Sequence, residues 1–167
     1  VLDVAFLVDD VDRQVEGIMD RGGKVAQEPY DMTDAHGRVR RAKIYAYGDT
    51  LHSLISMADY TGAFLPGYEA RRISEPDFGL RTVDHIVANV EDGKMSSWVD
   101  YYERVFGFNQ FLSFDDKDIS TEYSALRSTV MASQTAGVKF PINEPAQGRR
   151  KSQIQEYLES HRGAGVQ

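Results

Sequence analysis

The first candidate for chemistry in this sequence is a histidine set in an apolar run. The stretch Arg81–Val90 reads Arg-Thr-Val-Asp-His-Ile-Val-Ala-Asn-Val, which is typical of a buried β-strand that carries His85. An imidazole can bind a metal ion through one ring nitrogen while the other nitrogen donates a hydrogen bond. A lone histidine in an apolar strand is also commonly a core residue whose polar atoms are satisfied. The residue type and its setting leave both interpretations open.

The remaining histidines have settings that favour structural roles. His36 and His52 lie in or beside predicted turns, so we expect both on the surface. His161 falls in the last turn of a predicted helix, where a protonated imidazole suits the helix dipole. The sequence has no cysteine, which excludes disulfides and thiolate metal ligands and favours a reducing, cytoplasmic location.

The bulk composition excludes two classes of partner. The chain has 167 residues, enough for a sizeable core, and a formal net charge of −7. Binding to nucleic acid needs a basic face, which this charge balance does not provide. No apolar run approaches the roughly 20 residues that a membrane-spanning helix needs. We therefore expect neither a nucleic-acid partner nor a membrane partner.

The predicted elements occur in an order that is repeated along the chain. In the first copy, a strand over Val1–Val8 precedes a helix that Asp9-Asp10 can cap, then a segment over Lys24–Tyr30. A hairpin over Val39–Tyr47 and Leu51–Met57 follows. The apolar stripe of this helix consists of Val11, Val15, Ile18 and Met19.

The second copy has the same order. A strand over Val83–Val90 is followed by a helix over Ser96–Phe106 and a strand over Asn109–Phe114. A hairpin over Tyr123–Ser133 and Val138–Ile142 completes it. An internal structural repeat is the simplest account. The helix face predicted to be buried consists of Trp98, Tyr102, Val105 and Phe106.

An alignment of the two copies makes their first strands informative. Leu2-Asp3-Val4-Ala5 aligns with Val83-Asp84-His85-Ile86, so His85 takes the place of Val4. An aliphatic residue would then serve to fill this core position, and burying an imidazole without a partner costs a few kcal/mol. The comparison supports a functional site at His85 and leaves the core interpretation equally open.

The last stretch of the sequence begins the repeated pattern for a third time. Ser152-Gln-Ile-Gln155 is a capping box, in which the Ser hydroxyl accepts from the Gln155 amide and the Gln side chain reaches back. Gly163 and Gly165 stop this helix, and Val166-Gln167 begins another strand. Both ends of the sequence fall within elements, so we expect a piece of a longer protein.

Five short blocks are specific enough to compare with known families. They are Val83–Val90, Thr121–Ser128, Pro141–Pro145, Lys151–Tyr157 and Gly163–Gln167. In this order and spacing they resemble the 4-hydroxyphenylpyruvate dioxygenase family of the vicinal oxygen chelate superfamily. The resemblance is tight from about residue 81 onward and looser before it.

The resemblance implies an α+β fold of repeated βαβββ modules that form open half-barrels, the vicinal oxygen chelate or glyoxalase-like fold. Residues 1–58 would be one module, the second half of an N-terminal domain. Residues 59–80, which hold Gly, Pro and charge without sustained periodicity, would be a linker. Residues 81–167 would be the first part of a catalytic C-terminal domain, cut before its second histidine ligand.

The resemblance also implies an Fe(II) ion held by two histidines and one glutamate, with positions left for an α-keto acid and O2. His85 matches the first histidine. The second would follow Gln167 directly and the glutamate lies further on, so we expect this chain alone to be inactive. The implied reaction converts 4-hydroxyphenylpyruvate and O2 to homogentisate and CO2 in tyrosine breakdown. We also expect a homo-oligomer.

Four polar residues match positions that line the family's substrate pocket: Ser128, Asn143, Gln153 and Gln167. Read from the residues alone, a buried Ser128 would need a hydrogen-bond partner, and Asn143, between two prolines, could equally satisfy a local turn. Gln153 falls in the first turn of the capped helix, where exposure is the ordinary expectation. Gln167, at the end of the sequence, carries no information by itself.

Two alternatives stay open beside the dioxygenase. A hydroxymandelate synthase-like enzyme uses the same substrate and metal, but in its pattern an aliphatic residue stands at the position of Asn143, so Asn143 favours ring hydroxylation. The chain could also be a noncatalytic small-molecule-binding module of the same fold. The copy that carries Val4 shows that the fold persists without a ligand histidine there.

Overall fold

A computed structural model of the chain describes residues 1–71, 78–114, 125–146, 148 and 150–167. These residues form two compact units. The N-terminal unit comprises Asp3–Tyr45 and Leu51–Thr82. The C-terminal unit comprises Val83–Gln167 together with Val1–Leu2 and Ala46–Thr50. No helix among the described residues is both long and apolar enough to cross a membrane.

The N-terminal unit is a βαβββ module, as predicted. Its 4-stranded sheet has the order β1-β4-β3-β2, with β1 parallel to β4 and the other pairs antiparallel. In chain order the elements are β1 (Asp3–Leu7), α1 (Val11–Asp20), β2 (Val25–Asp34), β3 (Gly37–Tyr45) and β4 (Leu51–Tyr60).

The start and the buried face of α1 follow from its sequence. Asp10 is the N-cap, and its carboxylate accepts a hydrogen bond from the Arg13 amide at 3.0 Å. Three members of the predicted apolar stripe, Val11, Val15 and Ile18, are buried. Met19 is 51% exposed, so its inclusion in the buried stripe was wrong. One residue turns the helix by about 100°, which carries Met19 past the edge of the face that Ile18 buries.

The C-terminal unit repeats the module and adds a helix and a short strand. Its 5-stranded sheet has the order β6-β7-β8-β5-β9, with β5 parallel to β8 and antiparallel to β9. In chain order the elements are β5 (Ala88–Asn89), α2 (Met95–Tyr101) extended by a π-helical turn (Tyr102–Phe106), β6 (Asn109–Phe114), β7 (Ala125–Ala132), β8 (Lys139–Ala146), α3 (Gln153–His161) and β9 (Gly165–Val166).

The predicted helix over Ser96–Phe106 ends in a turn with wider hydrogen bonding than an α-helix. Within it Tyr102 and Val105 are fully buried, and the Tyr102 ring stacks on Phe140 of β8 with 5.7 Å between centroids. Gly107 ends the turn with a left-handed φ of 67°. The predicted hairpin also forms, although its first two residues, Tyr123 and Ser124, lie outside the described part of the chain.

The predicted buried strand over Val83–Val90 is wrong in its first half. Only Ala88–Asn89 form regular strand, and Val83 is 72% exposed. The Ile86 amide still donates to the Lys139 carbonyl at 3.2 Å, so the chain joins the sheet at Ile86. Val83 lies before this point and pairs with no strand in the described part of the chain.

The first part of the predicted linker is folded. β4 runs on to Tyr60, and Leu65 is buried in a cluster with Val39, Ile55 and Tyr60. A carboxylate oxygen of Asp34 accepts hydrogen bonds from the Tyr60 hydroxyl at 3.1 Å and the residue 67 amide at 3.2 Å. Residues 72–77 of the linker lie outside the described residues. The assignment of the two units to an N-terminal and a catalytic domain stays a prediction.

One half of the predicted capping box forms at α3. The Ser152 hydroxyl accepts from the Gln155 amide at 3.1 Å. The Gln155 side chain does not reach back, because its amide nitrogen donates to Glu159 Oε1 at 3.1 Å. Arg162, with a left-handed φ of 68°, ends the helix one residue before the predicted Gly163.

Candidate functional site

Polar side chains form a row across three neighbouring strands of the C-terminal unit. Ser128 of β7 pairs with Asn143 of β8, and Asn143 pairs with Asn89 of β5. Directly paired residues project from the same face of a sheet. Ser128 is 5% exposed and Asn89 is fully buried. Two of the predicted substrate-binding residues, Ser128 and Asn143, are therefore neighbours, and Asn89 extends the row.

Gln167 joins this row through Asn89. The Asn89 side-chain amide donates to Gln167 Oε1 at 2.6 Å, and the Gln167 backbone amide donates to the Val87 carbonyl at 3.2 Å. The carbonyl oxygen of the Asn89 side chain is buried without a hydrogen-bond partner among the described residues. A buried acceptor left unpaired costs about 1–3 kcal/mol, so this oxygen is suited to accept a hydrogen bond from a bound molecule.

Asn89 is the residue that the sequence analysis missed. It stands in the same apolar run as His85, four residues on, and a buried side-chain amide in such a run needs partners in the way that a buried imidazole does. That signal was available in the sequence. Its partner Gln167 is distant along the chain, and only the pairing of β5 with β9 brings the two together.

His85 lies just before β5 and is not a core residue. Its side chain is 49% exposed, which removes the core interpretation. Nδ1 lies 2.9 Å from Asp84 Oδ2, and the other carboxylate oxygen of Asp84 lies 2.7 Å from Lys139 Nζ. The hydrogen bond with His85 and the ion pair with Lys139 lower the pKa of Asp84. With Nδ1 turned to the carboxylate, Nε2 is the ring nitrogen available to a ligand.

Strand pairing corrects the predicted alignment of His85 with Val4. The last pairs before the hairpin turns are Tyr45–Leu51 and Ala132–Lys139, so Leu51 corresponds to Lys139. Asp3 pairs with Leu51. The amide of Ile86 donates a hydrogen bond to the Lys139 carbonyl. In a parallel pair this places the preceding residue, His85, beside Lys139. His85 therefore corresponds to Asp3, and the alignment was wrong by one residue.

Asp3 is held in a polar cluster of the N-terminal unit. Its Oδ2 lies 2.8 Å from Arg41 Nη2 and accepts a hydrogen bond of 2.8 Å from the Ser53 hydroxyl. Oδ1 accepts from the Ser53 amide at 3.2 Å. Where the C-terminal unit has an imidazole with an accessible nitrogen, the N-terminal unit has a carboxylate that is bound on both oxygens.

His52 is buried, and the expectation that it lies on the surface was wrong. It is fully buried in β4, where its Nδ1 lies 3.2 Å from the Val4 carbonyl and its ring packs against Phe6 at 4.8 Å. Burial lowers the pKa of His52 from 6.5 to about 4, opposed by the hydrogen bond to Val4. The turn just before His52 suggested exposure. The residue lies in β4, which begins at Leu51 and directs the His52 ring into the core.

The other two histidines lie where the sequence predicted. His36 is exposed in the turn between β2 and β3. His161 occupies the last turn of α3, with its ring stacked on Tyr157 at 5.1 Å and Nδ1 lying 3.2 Å from the Gly163 carbonyl. Gln153 is exposed in the first turn of α3, outside the polar row. The structure thus brings together three of the predicted substrate-binding residues, and Gln153 stands apart.

The described residues do not complete a metal site. Within residues 1–71, 78–114, 125–146, 148 and 150–167, no group of three or more His, Asp or Glu side chains could hold a metal ion. The exposed imidazole of His85, with Nδ1 bound to a carboxylate, has the chemistry of one nitrogen ligand. A single imidazole is too few for the three-ligand iron site that the resemblance implies.

Comparisons with known proteins agree with the resemblance read from the five blocks. The family model described as Glyoxalase/Bleomycin resistance protein/Dioxygenase superfamily matches residues 82–166. The whole chain is 47% identical to 43% of a 4-hydroxyphenylpyruvate dioxygenase from Aspergillus fumigatus. It is 49% identical to 42% of the enzyme of that name from Neurospora crassa. The chain thus spans less than half the length of these relatives.

Solved structures support the same fold. A mutant of 4-hydroxymandelate synthase from Streptomyces coelicolor matches 99% of the chain over 47% of its own length, with a TM-score of 0.78 and 27% identity. A fusion protein of a xylose isomerase-like TIM barrel and 4-hydroxyphenylpyruvate dioxygenase matches 98% of the chain over 24% of its own length, with a TM-score of 0.57. At 16% identity the second match bears on the fold alone. Together with the family match they confirm the predicted α+β fold of repeated βαβββ modules.

Proposed function

The chain belongs to the Glyoxalase/Bleomycin resistance protein/Dioxygenase superfamily. We propose that its parent protein is an Fe(II)-dependent dioxygenase, in line with the relatives of that name. The proposed reaction converts 4-hydroxyphenylpyruvate and O2 to homogentisate and CO2 in tyrosine breakdown. The chain spans 43% of the Aspergillus fumigatus relative, so this activity is proposed for the full-length protein. This chain supplies part of the substrate pocket and one metal ligand, His85.

The observation that carries the proposal is the polar row on the sheet of the C-terminal unit. Ser128, Asn143 and Asn89 are consecutive across β7, β8 and β5, and Gln167 is hydrogen-bonded to Asn89. A hydroxyl and three side-chain amides can bind the phenol, the keto oxygen and the carboxylate of a hydroxyphenyl keto acid, since each presents a donor, an acceptor or both. Ser128 and Asn89 are buried, and hydrogen bonds that they make to a bound molecule are strengthened by the exclusion of water.

The residues of this chain bind and orient, and an Fe(II) ion would supply the redox chemistry when bound. The unpaired Asn89 carbonyl can accept a hydrogen bond from the phenol, while the Asn89 amide nitrogen holds Gln167 Oε1. Asp84 holds the Nδ1 side of the His85 ring, which turns Nε2 away from the carboxylate.

A second candidate function is side-chain hydroxylation by a hydroxymandelate synthase-like enzyme. The structural match to 4-hydroxymandelate synthase, at 27% identity, supports this second reaction. Asn143 argues for ring hydroxylation, because in the pattern described above an aliphatic residue stands there in the synthase. The product separates the two reactions, since homogentisate and hydroxymandelate are distinguished by chromatography.

The proposal is tested with full-length protein purified without oxygen and reconstituted with Fe(II). We expect O2 consumption that depends on 4-hydroxyphenylpyruvate, with homogentisate as the product. His85→Ala should lose bound iron and activity, whereas His36→Ala, a matched change at an exposed histidine, should retain both. A wild-type protein that neither holds iron nor consumes O2 with this substrate would instead be a noncatalytic binding module of the same fold.

A further inference from the structure

The polar row depends on how β9 is held, and we infer that Tyr157 of α3 is the residue that positions it. By fixing β9, Tyr157 places Gln167 against Asn89. The effect on substrate binding rests on the proposed function, whereas the effect on β9 does not. Tyr157 bonds the Val166 backbone and stacks on His161, so its role is positioning and not catalysis.

A hydrogen bond joins α3 to β9 through the Tyr157 hydroxyl. This hydroxyl donates to the Val166 carbonyl at 2.9 Å. Burial raises the pKa of Tyr157, so the hydroxyl keeps its proton at neutral pH and remains a donor. The bond reaches the residue immediately before Gln167.

The strand passes too close to α3 for any side chain at residue 165. A Cβ built at Gly165 would lie 2.5 Å from the Tyr157 hydroxyl and 2.5 Å from Cε1 of His161. Such distances are well below van der Waals contact, so a side chain at residue 165 would displace the Tyr157 or His161 ring. Close packing and the hydrogen bond act at adjacent residues of β9.

The Tyr157 ring is itself fixed. It stacks on His161, one turn later in α3, with 5.1 Å between centroids and 14° between planes. The neighbouring Ile154 and Leu158 are buried and anchor the helix. The hydroxyl therefore projects from a rigid helix surface, which makes it a suitable reference point for a strand of 2 residues.

The position of β9 directly determines where Gln167 of the polar row lies. Val166 pairs with Ala88, and the Gln167 amide donates to the Val87 carbonyl at 3.2 Å. The Gln167 side chain then accepts from Asn89 at 2.6 Å. If the Val166 carbonyl loses its partner, the strand gains freedom where Gln167 begins, and the contact with Asn89 is made for a smaller fraction of the time.

Tyr157→Phe tests the first step, because it removes the hydroxyl and keeps the stacked ring. In full-length protein we expect deuterium exchange in the peptide that contains residues 163–167 to become about threefold to tenfold faster, the effect of losing one hydrogen bond. The control is Tyr68→Phe, the same chemical change at a tyrosine that is 58% exposed. Unchanged exchange in Tyr157→Phe, or an equal effect in the control, overturns the inference.

Substrate affinity tests the second step. With O2 excluded, we expect Tyr157→Phe to weaken binding of 4-hydroxyphenylpyruvate by about threefold to tenfold. Combined with Gln167→Ala, the same substitution should add less than about twofold, since its effect passes through Gln167. Full additivity of the two substitutions, or an unchanged affinity in Tyr157→Phe, refutes the positioning role.

The two experiments separate the inference from the proposed function. If the wild-type protein does not bind the keto acid, the proposed function fails, and the exchange rates still decide whether Tyr157 holds β9. If the wild-type protein binds the keto acid and exchange is unaffected by Tyr157→Phe, the inference alone fails.

Discussion

Glu144 is a buried carboxylate whose charge should measurably stabilise the C-terminal unit. Its side chain is 6% exposed, and Oε1 lies 2.9 Å from Arg127 Nε. Oε2 accepts a hydrogen bond from the Met95 amide at 3.1 Å, at the start of α2. The N-cap residue of α2, Lys94, makes no capping hydrogen bond with its side chain. The Glu144 carboxylate of β8 caps the helix in its place.

The expected loss on removing the charge follows from these contacts. Breaking a buried ion pair by removing one partner costs about 3–5 kcal/mol when the other charge stays buried. Arg127 is 41% exposed and keeps Asp92 at 2.9 Å, so its charge is not left buried and unpaired, and for Glu144→Gln we expect a smaller loss of about 2 kcal/mol. Glu144→Ala also removes the acceptor for Met95 and should cost about 1 kcal/mol more.

Trp98 provides the assay, because it is the single tryptophan of the chain and lies in α2, the helix that Glu144 caps. Urea unfolding followed by its fluorescence reports the free energy of unfolding of the C-terminal unit. The control is Glu159→Gln, which breaks an exposed pair with Lys151 and should leave the midpoint unchanged. If Glu144→Gln and the control have the same midpoint, the buried carboxylate does not stabilise this unit as described.

Three further predictions concern other residues. Burial lowers the pKa of His52 to about 4, so the unfolded state binds the proton first as the pH drops, and the free energy of unfolding should fall by about 3 kcal/mol between pH 6.5 and pH 4. His52→Phe, which copies the corresponding Phe140, should lose less stability over this range in urea titrations. An equal loss of stability in the variant contradicts the assignment. Asn89→Leu in full-length protein should weaken keto-acid binding about tenfold in anaerobic calorimetry, and unchanged affinity would remove Asn89 from the pocket. Asp34→Ala removes the acceptor for the Gly67 amide, which should exchange faster with deuterium, and constant exchange there would show that Asp34 does not hold this segment.

The elements of the fold were predictable where a local rule decides them. The cap at Asp10, the strand over Asn109–Phe114 and the turn of the second hairpin depend on residues close together in sequence. The first half of the strand over Val83–Val90 was not predictable, because apolar residues favour a strand only where the sheet offers a neighbour. The π-helical turn at Tyr102–Phe106 likewise gives no pattern that separates it from an α-helix.

The candidate site was predictable in residue type more than in arrangement. Sequence placed Ser128 and Asn143 on facing strands, but the link from Gln167 to Asn89 depends on a pairing between distant segments. The burial of His52 and the one-residue shift of the repeat follow from the pairing of β1 with β4, which joins segments about 48 residues apart. A register read from hairpin ends, as for Leu51 and Lys139, is needed to decide such cases.

The folded start of the linker matters for recombining domains between related proteins. A chimera joined at residue 59 would place Leu65 and Tyr60 on the incoming side, and it would separate both from Val39 and Ile55. It would also separate Asp34 Oδ2 from the Tyr60 hydroxyl and the Gly67 amide that donate to it. A crossover after residue 70 keeps these contacts within one parent, so domain exchange at that point should preserve the stability of the N-terminal unit.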